Sequence, residues 1–431
     1  MQDAPHPPPP RPGVRQSISL LSRNPAFARL YAATLVSFMG DWFALVAILG
    51  RVNDLTDGSA SLVTLVMVTQ MLSIAIFSPL GGSLADRFDR RRLMVFADVL
   101  RVILALGFLL IDRPSEVWMA YPLTAAIGAF TAMFEPTTHA AIPNLVDAED
   151  LPAANVLMGS AWGTMLAVGG ALGGIVAATL GRDAAIVGDA LSFAVSGVLI
   201  VGIRRRFSEE RTGGHRSIRG AVADTVRYAR VDRRVFALLS VKAGFGLGGG
   251  IMALLPLVSL NVFHTGDRGT GILLASRGLG ALLGPFLARR FTQNLRSLYA
   301  AIAVSFAVYG ISYGIVSLSP ALWFAAVFVV SAHLGGGAQW TLSTYGLQRI
   351  VPDSIRGRVF SFDFGLATLS FSVSILLGGW VADQWGALAA IGVLAGVSGA
   401  WAIAWTLLTS RIRRQASFEQ RLEIAEALPG S

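Results

Sequence analysis

The sequence predicts an all-α membrane protein with twelve transmembrane helices in two pseudo-symmetric six-helix halves. Three observations predict it. Of 431 residues, 54% are hydrophobic and only 14% charged, against about 25% charged in an ordinary soluble domain. A soluble chain of that composition could not cover its surface. Apolar runs long enough to span a bilayer, about 18 residues or more, recur along the whole chain. Lysine and arginine are also unevenly placed: 28 of the 35 fall on one alternating set of loops and tails, and 4 on the other.

The first 25 residues include a polyproline run, which cannot enter a helix, and are expected to form a disordered tail. No signal peptide is expected, because proline and arginine fill the place of an apolar h-region. Segments 27–50, 60–84 and 93–112 follow, the second ending in "GGSLADRF" and the third containing "DVLRVIL". Segment 117–140 exits through "AAIPNLVDAEDL", and 154–180 carries "GGALGG". Segment 183–203 closes the first half. The second half repeats the order with 235–262, 270–288, 297–317, 320–346, 358–382 and 386–409. At 1.5 Å per residue each can cross a hydrocarbon core of about 30 Å.

The organisation expected is therefore a tail (1–25), a first half (26–203), a linker (204–234), a second half (235–409) and a closing tail (410–431). The excess of basic residues on one side puts both termini in the cytoplasm of an inner-membrane protein, by the positive-inside rule. It also accounts for the net charge of +9 without nucleic acid. A weak repeat supports the halves: "GGSLADRF" matches "GPFLARRF", and Pro143 matches Pro352. Halves of this kind place a substrate path at their interface near the midplane. In the linker, Ile218, Ala221, Val222, Thr225, Val226 and Ala229 share one helical face, the pattern of an interfacial amphipathic helix. A solvated linker is the alternative.

Some chemistry is excluded. The sole lysine is Lys242, preceded by Val241, so no Walker A loop exists and no nucleotide is expected. Cysteine is absent, so no disulfide framework or thiolate site exists. The five histidines are scattered and make no ligand pattern. No cofactor or metal is expected, and no cluster of nucleophile and base suggests an enzyme.

Charge is concentrated in the loop after the second segment, which reads Gly82-x-x-x-Asp86-Arg87-x-x-Arg90-Arg91. A glycine lets a neighbouring helix approach. Asp86 at a helix end can pair with arginine or cap another helix. The arginines can grip phosphates or carboxylates. A plain positive-inside anchor would explain the arginines, but not the glycine and the aspartate.

This motif resembles the loop 2–3 signature of the major facilitator superfamily. "FMGDWFALVAI", "DVLRVIL", "AAIPNLVDAEDLPAANVL", "VRYARVDRRV", "LLASRGLGALLGP" and "VPDSIRGRVFS" are similar to stretches of its macrolide-efflux and enterobactin-exporter-like branch, over about residues 20–410. The resemblance implies a twelve-helix exporter of amphipathic small molecules, drug or siderophore-like, working by alternating access and proton antiport. A proton-coupled importer or a lipid flippase of the same fold is the alternative. The partners expected are the substrate, protons and the lipid bilayer, with a monomer as the working unit. The resemblance carries a latch role to Asp86 and Arg90, within the motif formed with Gly82, Arg87 and Arg91. Two departures stand out. Gly170 occupies a place where drug–proton antiporters often have proline, and Ala288 replaces the aspartate in the second half's counterpart of the loop.

Ionisable residues inside spans are costly, so each raises a functional hypothesis. Asp41 lies midway along the first segment and Glu135 in the fourth; by the resemblance both segments line the cavity. An acid in apolar surroundings favours its neutral form, as a proton-coupling site requires. Each could equally be a structural hydrogen bond. Arg277 could pair with a carboxylate or attract an anionic substrate. Lys242 could do the same, or snorkel to the interface. Asp98 and Arg101, three residues apart on one helix face, are expected to pair in support of the loop 2–3 latch. His139, four residues beyond Glu135, could extend a proton relay. Asp363 lies near the start of segment 11, and Asp383 at its outer end is expected to be solvated. Gly169, Gly173 and Gly174 are expected to pack helices closely. Trp42, Phe43, Phe130, Phe134, Trp162, Trp340 and Tyr345 are candidates for a pocket wall.

Overall fold

A computed structural model describes residues 14–147, 149–205, 207, 227, 232–291, 295–351 and 353–415. Among them there is no strand. The first half contains α1 (Val14–Arg23), α2 (Pro25–Leu55), α3 (Ala60–Arg87), α4 (Arg90–Gly107), α5 (Ala120–Leu145), α6 (Leu151–Leu180) and α7 (Arg182–Val201). The second contains α8 (Arg233–Gly249), α9 (Ile251–Leu257), α10 (Gly266–Ala288), α11 (Leu295–Val316), α12 (Leu322–Ile350), α13 (Asp353–Trp385) and α14 (Ala387–Leu408). Among the described residues 11 helices are long and apolar enough to cross a membrane. The fifth segment contributes the shorter apolar stretch Val168–Leu180 of α6.

The sequence dictates the helix ends. Asn24 caps α2, its side chain accepting from Phe27 N at 3.1 Å and donating to Leu145 O at 2.7 Å. Pro25 takes the first turn of α2, where a missing N–H costs nothing. Asp89 caps α4 through Arg92 N at 2.9 Å. One-residue turns join α6 to α7 at Gly181 (φ +89) and α13 to α14 at Gly386 (φ +85), corresponding places in the two halves. The segment predicted at 235–262 is interrupted at Gly250, whose N–H is taken by Ser374 Oγ of α13 at 3.0 Å. A Cβ at Gly250 would lie 2.3 Å from Ser374 O, so only glycine permits that contact.

Asp232 caps α8. Its Oδ1 accepts from Arg234 N at 2.8 Å and its Oδ2 from Arg234 Nη2 at 3.0 Å. Partial burial pushes this carboxyl up, but the bonds from Arg234 outweigh that and hold it below its ordinary value. A depressed folded-state value means that the stabilisation is present at neutral pH and lost as pH falls through that value. Asp232→Ala is expected to cost about 1 kcal/mol, read as a lower melting temperature at pH 7 and a gap to wild type that closes in acid. Equal melting at pH 7 would remove the cap from the account.

One correction concerns the first tail. Residues 14–23 are helical, not disordered, because Leu20 is fully buried among Phe27, Leu145 and Ala154. Arg23 pairs with Asp150 at 3.3 Å. The polyproline run lies outside the described residues, as does the linker helix expected over 218–229 apart from Arg227.

Packing sets the architecture. Within the first half α2 packs on α6 and α7, α3 on α5, and α4 on α5 and α7. Within the second, α10 and α11 pack on α12, α11 on α14, and α8 on α13. The halves meet where α6 packs on α10 and α3 on α13. Among the described residues three apolar cores result. One draws residues from both halves, including Ala47, Val66, Leu254 and Leu274. The other two lie nearer the chain termini, and each draws on one half only: Leu20, Phe134 and Ile203 in the first, Leu238, Phe306 and Trp405 in the second. The halves are thus welded at the end away from the termini, called here the far end. Exposed Ile76, Val198, Val304, Ile311 and Leu407 make an apolar exterior suited to lipid. Exposed Trp118, Trp323 and Trp385 stand at the far-end helix termini, where indoles settle at a membrane interface.

Candidate functional site: a buried charge cluster in each half

In the first half, α2, α4, α5 and α7 bring polar residues together inside the bundle. Arg101 is 0% exposed. It pairs with Asp98, donates from Nη1 to Ser37 Oγ at 3.3 Å, and lies over the rings of Phe134 and Phe193 at 4.5 and 4.4 Å. Asp98 Oδ2 accepts from Ser196 Oγ at 2.8 Å. Asp41 lies within electrostatic reach of Arg101, Glu135 and Asp98. Asp189, 1% exposed, lies within reach of Asp41 and Arg101. Four acids therefore share one guanidinium, itself committed to Asp98.

This differs from the support role expected of Asp98 and Arg101 toward the loop. The two do pair, but with Ser37 and Ser196 on α2 and α7 as further partners. The reason is depth: at 1.5 Å per residue, Asp98 lies about 12 Å beyond the start of α4 and Arg101 about 16 Å. Both are well inside the span.

At the loop itself, Gly82, Asp86 and Arg87 fall in the last turns of α3, and their side chains lie outside the described residues. Arg90 donates to Phe207 O at 3.0 Å and Arg91 to Arg205 O at 2.9 Å. Asn144 Nδ2 donates to Phe207 O at 2.7 Å, and Arg205 to Leu145 O at 2.8 Å. Both arginines thus hold backbone carbonyls just after α7.

In the second half, Arg277 of α10 is partly buried, 5.9 Å from the ring of Trp42, and its Nε has no hydrogen-bond partner. Tyr309, Tyr313 and His333 are its electrostatic neighbours. His333 Nε2 meets the Tyr313 hydroxyl at 2.8 Å. Phe245 joins Tyr309, Trp340 and Phe371 at ring distances of 5.2, 6.1 and 5.4 Å. Lys242 does not snorkel: it is 4% exposed, ion-paired with Asp363, and 4.5 Å from the Trp340 ring.

The glycines lie where two helices crowd α6. A Cβ at Gly169 would come 2.9 Å from Trp42 Cβ, and at Gly173 2.9 Å from Trp42 O, so these face α2. At Gly174 it would come 2.6 Å from Gly271 Cα, so this face meets α10. Gly170, in the expected proline's place, also faces α10, at Leu274. Trp42 thereby packs its side chain against α6, Phe43 meets α6 through its backbone and turns its ring to Gly188 of α7, and Phe134 lies against Arg101. The side chain of Trp162 lies outside the described residues.

Sequence reasoning passed over two features. Asp189 lies seven residues into α7, past Asp183 in the first turn, and is a charge inside an apolar run, the signal that marked Asp41. A far-end bracket was hidden because its residues read as ordinary loop charges. Arg182 donates from Nε to Asp267 Oδ2 at 2.9 Å across the two halves, and from Nη1 to Asp54 Oδ2 at 2.6 Å. Beside it Asn53 and Asn261 exchange reciprocal amide bonds at 3.0 and 2.9 Å. Asp383 is exposed as expected, yet it also accepts from Ala60 N at 2.6 Å and Ser61 N at 3.1 Å, capping α3 from the other half.

An all-helical body with an apolar exterior and a buried charge cluster inside each half has the architecture of a multi-pass membrane protein. The chain belongs to the transmembrane secretion effector family of the major facilitator superfamily, whose profile it matches over residues 18–426. It is 26% identical over 374 residues to Macrolide efflux protein A of Streptococcus pyogenes, covering 84% of this chain and 90% of that one. It is 28% identical over 333 residues to Macrolide efflux protein A of Enterococcus faecalis, covering 74% of this chain and 100% of that one. Among solved structures it resembles a POT family transporter in complex with 5-aminolevulinic acid (TM-score 0.74, 11% identity, 94% of this chain and 98% of that one). It also resembles a bacterial homologue of human Spinster, inward-facing and unoccupied (TM-score 0.66, 14% identity, 94% and 98%).

Proposed function

We propose that the protein exports bulky amphipathic small molecules from the cytoplasm by proton antiport and alternating access. The observation that carries this reading is the group of Asp41, Glu135 and Asp189 around a single committed arginine, inside the span. Uncompensated charge is costly there, so these acids respond to whether they hold a proton. The second half supplies a different set of groups: the partly buried rings of Phe245 and Trp340, and Arg277, an electrostatic neighbour of the Tyr309 that packs on Phe245. Ring faces take up apolar bulk, and a guanidinium orients a polar group. The relatives named for macrolide efflux support a large amphipathic substrate. The basic residues flanking the terminal-end loops support an inner-membrane location with both termini cytoplasmic. Gly82, Asp86, Arg87, Arg90 and Arg91 remain the proposed latch of the outward-open state, and the monomer the proposed working unit.

Inverted vesicles with an imposed proton gradient test this: an exporter loads them. In Asp41→Asn the neutral amide cannot release a proton, so gradient-driven loading should fall to the level of vesicles lacking the protein, while substrate binding persists. Full loading with an unchanged pH dependence would take Asp41 out of the mechanism.

A further inference from the structure

We infer that Asp189 of α7 is a second coupling carboxylate, sharing one proton with Asp41 across the contact between α2 and α7. This rests on the proton-antiport reading above. The contact is close because position 40 has no side chain. A Cβ on Gly40 would lie 1.9 Å from Ser192 Oγ and 2.6 Å from Asp189 Oδ1. Two polar tips of α7 therefore rest on the backbone of α2, one residue before Asp41.

Neither tip has a well-formed hydrogen bond. Asp189 Oδ1 and Ser192 Oγ are both buried, and Ser192, one turn along α7, stands close enough to the carboxylate to act as a weak donor to it. A structural acid at this depth would be expected to use its oxygens fully, as Asp98 does with Arg101 and Ser196. Asp189 instead turns Oδ1 to α2 with no more than that weak donor. From α2 it faces Asp41, and from α4 it faces Arg101, which is committed to Asp98. Glu135 of α5 faces Asp41 and Arg101. The helix α6 carries no titratable residue at all. One guanidinium, paired with Asp98, faces four acids, so the neighbouring carboxylates of Asp41 and Asp189 are relieved by one proton, as in other close acid pairs. The proton comes from water and returns to it, and only an O–H bond is made or broken.

The test uses the full-length protein in proteoliposomes, with the wild type, Asp189→Asn and Asp189→Glu. Energetically neutral substrate exchange reports folding and binding. Uphill transport and proton release on substrate addition report coupling. In Asp189→Asn exchange should persist, uphill transport should be lost, and the pH profile of exchange should move toward acid because Asp41 loses its negative neighbour. Asp189→Glu should restore part of the uphill transport. If the wild type releases protons and Asp189→Asn releases as many with an unshifted profile, Asp189 is structural and this inference alone is overturned. If the wild type moves no proton, the antiport reading falls with it. Loss of exchange in Asp189→Asn together with full coupling in Asp189→Glu supports the inference; loss of exchange in both variants overturns it in favour of a packing role.

Discussion

Lys242→Met should lower the melting temperature of the purified protein more than any other single change considered, while Lys242→Met combined with Asp363→Leu should recover most of the loss. Lys242 and Asp363 are 4% and 0% exposed and pair between α8 and α13. Removing one partner of such a pair strands the other charge, at a cost of about 3–5 kcal/mol. Here the stranded group would be a carboxylate whose Oδ1 already lacks a hydrogen bond. Removing both partners and filling the space with apolar atoms avoids that penalty, and buried pairs replaced in this way are often neutral. The ring of Trp340, 4.5 Å from the ammonium, adds a cation–π contact that methionine's sulfur partly replaces. Thermal unfolding in detergent, followed by tryptophan fluorescence, reads both variants. If the single and double variants melt together, the pair contributes through packing and not through charge.

How far the sequence reveals this molecule depends on the kind of signal. The spans are legible because apolar length is a one-dimensional property. The glycines of α6 are legible for the same reason: Gly169 and Gly173, four apart, share the face toward α2, and Gly174, one position on, turns to α10. Asp41, Glu135 and Arg277 stand out as charges in apolar runs, and Asp189 obeys the same rule. Partnership is what the linear pattern withholds. Lys242 and Asp363 are 121 residues apart, and Arg182 and Asp267 are 85 apart. Nothing local indicates that one ammonium reaches one carboxylate, since a lysine near a helix end is equally able to snorkel. Depth misleads in a related way. Asp98 follows a charged loop closely in sequence, yet a helix carries it about 12 Å inward in eight residues. Asp383 shows the converse: solvent exposure, rightly anticipated, did not prevent it from capping a helix of the other half.

Arg182→Ala should shift the protein toward a state open at the far end. Arg182 is the centre of a three-member bridge: it holds Asp54 of its own half at 2.6 Å and Asp267 of the other at 2.9 Å. The fit depends on Gly50, where a Cβ would lie 2.6 Å from both Arg182 Nε and Asp267 Oδ1, so the guanidinium and its acid are seated against α2. The charge-assisted bonds to the buried Asp267 contribute about 1.5–3 kcal/mol, the pair with the exposed Asp54 about 0–1 kcal/mol, and about 1.4 kcal/mol changes a two-state ratio tenfold. Deleting the guanidinium removes the attraction and also leaves Asp54 and Asp267 facing each other as like charges. The reciprocal Asn53–Asn261 amides and the Gly174–Gly271 contact remain, so opening is expected to be a shift in population by about one to two orders of magnitude, not a loss of the fold. Arg182→Lys keeps the charge but loses the fork that reaches both acids, and should fall between the two. The chain contains no cysteine, so spin labels at Trp118→Cys and Leu318→Cys, both exposed at the far end of opposite halves, report the separation against a clean background. A longer and broader distance distribution in Arg182→Ala is the expected result. An unchanged distribution would mean that the apolar core, the Asn53–Asn261 amides and the Asp383 cap hold the far end without the Arg182 bridge.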